Sequence, residues 1–89
     1  MSPIPTLPPA TGLMVYARRD GSIEHLLSGL SNADPGVRAE AVKAVLLDYY
    51  QNTGKDLSKA AQILNGIPEI QINHLTDQMV KLADEYNWQ

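Results

Sequence analysis

The sequence predicts an all-α fold, a small bundle of about four helices preceded by a proline-rich tail. Three observations carry that prediction. Residues that start and stop helices punctuate the chain at short intervals. Between them, apolar residues recur three and four positions apart, the period of a helix face. Long runs alternating apolar and polar residues, which a half-buried strand needs, are missing.

The chain opens with "MSPIPTLPPATG", which holds Pro3, Pro5, Pro8 and Pro9 and no charged residue. Proline removes backbone donors and fixes φ, so such a segment resists regular structure. The expectation is a flexible tail over residues 1–15 and a single helical domain over residues 16–89. "GLMVYAR", Gly12–Arg18, reads either as an extra helical turn or as an extended segment lying on the bundle.

Downstream, "DGSIEHLLSGLSN" offers Asp20 and Ser22 as N-caps, and Ile23, Leu26, Leu27 and Leu30 form one apolar face of a short helix. Gly29 lowers helix propensity by roughly 1 kcal/mol relative to Ala and helps keep this helix short. The next start signal is stronger. Asp34 accepts from orphan N–H groups of the first turn, and Pro35 suits N1, where its missing N–H does no harm. From Val37 to about Gln51, apolar residues wrap most of the helix, as expected of the central member of a bundle. Gly54 is available for a left-handed cap. "DLSKAAQILNG" repeats the amphipathic pattern through Leu57, Ala60, Ala61 and Leu64 and closes at Gly66. Ile72, Leu75, Met79, Leu82 and Tyr86 then mark a last helix from about Glu69 to Tyr86.

Bulk properties restrict the function classes. At 89 residues the chain holds one small domain, and with no cysteine it has neither disulfides nor thiolate metal ligands to staple it. Stability must come from helix packing, from a partner or from self-association. Apolar runs such as Ala44–Leu47 are far short of the ~20 residues a membrane span needs, and no basic-then-apolar N-terminus marks a secretory signal. The expectation is a cytoplasmic protein with no membrane partner. A net charge of −3 and a pI near 5.1 argue against phosphate binding as the dominant interaction.

"HLLSGLSNADPGVRAEAVKAVLLDY", His25–Tyr49, resembles a single HEAT repeat, particularly the type found in bilin-lyase-like HEAT proteins. It combines a leucine-bearing first helix, a tight turn and Asp34-Pro35-x-Val37-Arg38-x-x-Ala41 opening the second helix. The resemblance implies that Val37 packs inward and that Ala41 lets the two helices approach closely. It also implies that Arg38 contacts the acidic cap of a neighbouring repeat, or here Asp34. Solenoids stack three or more units, and the rest of the chain does not repeat the signature. A helical hairpin within a small bundle is the competing reading. Both point to protein interaction rather than catalysis.

A second resemblance, to a helix-turn-helix, covers residues 57–75, and the DNA-binding alternative built on it spans residues 57–82. Gly66, Ile72 and Leu75 match the turn glycine and two core positions, although Asn65 stands where that motif is normally apolar. The would-be recognition helix presents Asn73, His74 and Lys81 as nucleic-acid contacts, together with Glu69 and Asp77, whose charge opposes approach to phosphate.

Nothing assembles into a catalytic set. His25 and His74 lie in different helices without ligand-spaced partners, and Ser22, Ser28, Ser31 and Ser58 read as caps or helix-end residues. "NTGK" lacks the glycines and the following Ser/Thr of a phosphate loop. No enzyme activity, cofactor or metal is expected.

The expected function is a protein-binding or regulatory module that buries a leftover apolar helix face against a protein partner or a second copy. Leu47, Tyr50 and Trp88 are the candidate contacts, because large aromatic residues dominate interface hot spots, with Arg18 and Arg19 at the rim. Tyr49 and Tyr86 are expected to complete the core. Pro5-Thr6-Leu7-Pro8 is a minimal P-x-x-P pattern suited to polyproline II, and Ile4 and Leu7 also suit packing back onto the bundle. The alternative function is a small transcriptional regulator using Asn73, His74 and Lys81.

Overall fold

The structure, a computed structural model, describes residues 7–54 and 56–86. Those residues form five α-helices and no strand: α1 (Ala10–Asp20), α2 (Ile23–Leu30), α3 (Pro35–Gly54), α4 (Leu57–Asn65) and α5 (Glu69–Glu85). The all-α class is as expected, but the number of helices is five rather than about four.

The additional helix is α1. It occupies Gly12–Arg18, the stretch open to two readings, and takes in residues 10–15 of the expected tail. Ala10, Leu13, Met14 and Ala17 recur at i, i+3, i+4 and i+7, and all four are buried. Burying that face stabilises a helix that its glycine and β-branched residues would not hold alone. Pro9 stands at the N-cap with φ −65° and ψ 153°, and the helix closes at Gly21, whose φ of 90° is the left-handed conformation glycine adopts without a Cβ clash.

Side-chain capping explains the starts of α3 and α4, whereas α2 and α5, whose N-cap is Pro68, begin without a side-chain cap bond. Ser22 sits at the N-cap of α2, yet neither its hydroxyl nor another side chain makes the capping bond. Before α3, Asn32 Oδ1 accepts from Asp34 N (2.9 Å), and Asp34 Oδ1 accepts from Gly36 N (2.9 Å). Asp56 Oδ1 accepts from Lys59 N (3.3 Å) and caps α4.

Two helix ends differ from expectation. α3 continues through Asn52, Thr53 and Gly54, and Gly54 does not take a positive φ. Thr53 Oγ1 donates to Tyr49 O (2.7 Å), which satisfies a last-turn carbonyl without a glycine cap. α5 ends at Glu85, and Tyr86 turns into extended backbone with 59% of its surface exposed. Tyr86 therefore lies outside the core it was expected to complete.

The core is shared by four helices. Leu13, Met14 and Ala17 from α1, Leu26 and Leu30 from α2, Val42, Val45 and Leu46 from α3, and Ile72, Leu75 and Met79 from α5 form one buried cluster, joined by Ile67 from the α4–α5 turn. Thr76, the buried polar side chain among them, satisfies its hydroxyl by donating to Ile72 O at 2.7 Å.

α2 and α3 meet at an unusually close point. A Cβ built on Gly29 would lie 2.4 Å from Ala41 Cβ, so glycine is required where the two helices touch. The close approach expected at Ala41 is present. Val37, expected to pack inward, is instead 41% exposed in the first turn of α3. Arg38 Nη1 donates to Asn32 O (2.8 Å) and Ala33 O (3.0 Å), tying down the α2–α3 loop through its carbonyls rather than through Asp34.

α4 is attached differently. Among the described residues it packs closely on α3 and on no other helix.

Candidate functional site: a groove along α5

The residues expected to bind a partner do not form one exposed surface. Leu47 and Tyr50 are half-buried on α3. The Tyr50 ring packs edge-on against Tyr49 (centroids 5.5 Å apart), and Tyr49 packs edge-on against Tyr16 of α1 (5.4 Å). Burial, followed by the neighbouring Tyr49, raises the Tyr50 hydroxyl above its ordinary pKa. Tyr50 is thus part of an internal aromatic stack joining α1 to α3. Arg18 and Arg19 are exposed in the last turn of α1, where cations oppose the helix dipole favourably. Trp88 lies outside the described residues.

Beside that stack, Tyr16 Oη donates to Asp48 Oδ2 (2.8 Å), and Asn52 Nδ2 donates to Tyr16 Oη and reaches Asp48 Oδ1 at 3.5 Å. Asp20, the last residue of α1, shares a hollow of about 210 Å³ with Asp48, Ser22 and His25. Its carboxyl is raised above its ordinary pKa, chiefly by hydrogen bonding with the nearby Asp48 carboxylate and then by desolvation, with Asp48's charge adding. This cluster couples α1 to α3, but two carboxylates make no metal site, and among the described residues no group of three potential ligands could hold an ion.

The surface with room for a partner lies elsewhere, between the segment entering α1 and the outer side of α5. A hollow of about 530 Å³ is bounded by Leu7, Pro8 and Pro9 on one wall and by Ile70, Gln71, His74, Leu75 and Gln78 on the other. A second, of about 450 Å³, continues it between Pro9, Ala10 and Thr11 and the α5 residues Gln78, Lys81, Leu82 and Glu85. Pro9 and Gln78 line both, so the two hollows form one groove, along which residues 7–11 and α5 run in the same order. Its length from Ile70 to Glu85 is roughly 22 Å at the rise of an α-helix.

α5 shapes this groove through its two faces. Ile72, Leu75 and Met79 are buried, which turns Ile70, His74, Gln78 and Lys81 outward at four-, four- and three-residue steps. Ile70 is 77% exposed, the most exposed of the large apolar residues described. The expected contact set omitted it. Its signal was that it falls off the Ile72–Leu75–Met79–Leu82 stripe, on the polar side. His74 and Lys81, proposed as nucleic-acid contacts, form part of this groove's polar lining, with Gln78 donating toward or accepting from His74 Nε2 at 3.4 Å. Asn73 is exposed outside the groove lining. Among the described residues α4 and α5 do not pack on one another, so the two helices of the expected helix-turn-helix share α3 rather than a mutual interface.

Among the described residues, no helix is long and apolar enough to cross a membrane. No protein-family model, curated protein sequence or solved structure matches this chain.

Proposed function

We infer that this chain is a non-enzymatic protein-interaction module that docks a partner along the groove between residues 7–11 and α5. The observation that carries the reading is Ile70, an aliphatic side chain 77% exposed at the mouth of an apolar hollow of about 530 Å³. Exposed single hydrophobes are ordinary, but one bordering a concave apolar surface with a polar rim has the anatomy of an interface. Gln71, His74, Lys81 and Glu85 supply that rim. The groove suits an apolar segment that inserts one side chain into each hollow, a protein chain from either a partner or a second copy. This keeps an apolar contact on a helix, as expected from the sequence, but moves it from Leu47 and Tyr50 on α3 to Ile70 on α5.

A photo-reactive residue in place of Gln78 or Lys81 tests the reading, since both lie on the groove and are not core positions. It is expected to trap a defined protein, or a second copy, that the same residue at Ser58 on α4 does not. Equal capture from both places would remove the groove as the binding surface.

A further inference from the structure

α4 ends on Asn65 and is followed by Gly66, a pair whose side chain and backbone can react with each other. We propose that Asn65 is a site of spontaneous deamidation, gated by unwinding of the last turn of α4. The site lies at the α4–α5 turn and does not depend on the groove being a docking surface.

The chemistry needs only the chain and water. Gly66 N attacks Asn65 Cγ, a carbon–nitrogen bond forms, and the Cγ–Nδ2 bond breaks. Nδ2 leaves as ammonia, taking the proton lost by Gly66 N, and a succinimide ring remains. One water then opens the ring at either carbonyl, giving aspartate or isoaspartate.

Three observations single out this position. Of the asparagines in the sequence, Asn65 is the one followed by glycine, whose missing Cβ leaves the attacking nitrogen uncrowded. Asn65 is exposed, and among the described residues no hydrogen bond holds its side chain. By contrast, Asn32 Oδ1 accepts from Asp34 N and Asn52 Nδ2 donates to Tyr16 Oη. Finally, the backbone does not demand glycine at 66. Its φ of −82° and ψ of −7° are ordinary for any residue, and a Cβ there would meet Ile63 O at 3.5 Å and Gln62 O at 3.6 Å, normal contact distances.

The helix holds the reaction back. Gly66 N donates to Gln62 O and Ile63 O, both at 3.1 Å, so the nucleophile is occupied while the last turn is closed. Among the described residues α4 packs on α3 alone, so this turn opens at lower free energy than the core helices. Either product then disfavours closure. Aspartate places a negative charge at a helix C-terminus, where the dipole opposes it. Isoaspartate lengthens the main chain two residues before Ile67, which anchors the turn in the core and donates from its N–H to Leu64 O at 3.2 Å.

The test is to incubate the full chain at mildly alkaline pH and follow each asparagine by peptide mapping, with isoaspartate detected by enzymatic methylation. Asn65 is expected to convert about tenfold faster than Asn32, Asn52 or Asn73, yet at least about tenfold slower than in a free peptide of residues 61–67, which has no closed helix. Gly66→Ala, which the backbone accommodates, is expected to suppress conversion. Gln62→Gly weakens α4 at an exposed position without touching the core, and is expected to speed conversion about fivefold. Conversion at Asn65 no faster than at the other asparagines would overturn the site. A rate equal to the free peptide's, or one unchanged by Gln62→Gly, would overturn the gate.

Discussion

α4 and α5 are adjacent in sequence and equally legible as amphipathic helices, yet the fold uses them in opposite ways. α5 sends Ile72, Leu75, Thr76 and Met79 into the core and packs against α1, α2 and α3. Among the described residues, α4 packs on α3 alone, and Ala60 is its buried residue. The strength of a local helix signal therefore says little about how strongly a helix is coupled to the rest. Coupling depends on how many neighbours cover the apolar face, and that also decides where a free face remains. On α5 the inner face is fully used, and the outer side borders the groove.

The sharpest way to break this contrast is truncation on each helix. Met79→Ala removes a fully buried side chain from the four-helix cluster and is expected to cost about 3 kcal/mol by denaturant unfolding. Ile63→Ala removes a half-buried one from α4 and is expected to cost about 1 kcal/mol. Comparable losses would mean that α4 is as integral as α5. Hydrogen exchange should agree, with α4 amides opening at lower free energy than those of α5.

Next in size is the α2–α3 contact. Gly29→Ala gains helix propensity of roughly 1 kcal/mol, but the new Cβ would meet Ala41 Cβ at 2.4 Å. Overpacking of this kind costs typically 1–3 kcal/mol, so net destabilisation is expected. Ala41→Gly in the same chain should restore much of it. If Gly29→Ala instead stabilises the protein, the close approach is wrong.

The smallest effect concerns the α1–α3 carboxyl pair. Asp20 is raised in the folded state, chiefly by its hydrogen bond with Asp48, so folding favours its protonated form. Stability associated with that proton is present below the unfolded pKa and is lost as pH rises through the folded value. Asp20→Asn is therefore expected to raise Tm modestly at neutral pH, with the gain shrinking as pH falls through the carboxylate range. A gain that grows on acidification would reverse the assignment.

These predictions separate features that were legible in the residues from features that were not. The helix start at Asp34-Pro35 was readable because a cap is a bond between neighbours in sequence. The Ile72–Leu75–Met79 stripe was readable for the same reason. α1 was missed as a definite helix because two of its four core positions, Ala10 and Ala17, are small and the stretch follows prolines. The candidate site shifted more. Tyr50 looked like an interface residue by composition, but the Tyr16–Tyr49–Tyr50 stack draws it inward.

By itself, the sequence determined the helical class, most helix boundaries and the inner face of α5, all set by interactions within a few residues. The tertiary structure alone decided that Gly29 is a contact point rather than a helix breaker, that Tyr86 faces outward, and that Ile70 borders a groove. Each of those depends on which distant helix covers a given face, a long-range choice made by packing that no local spacing encodes.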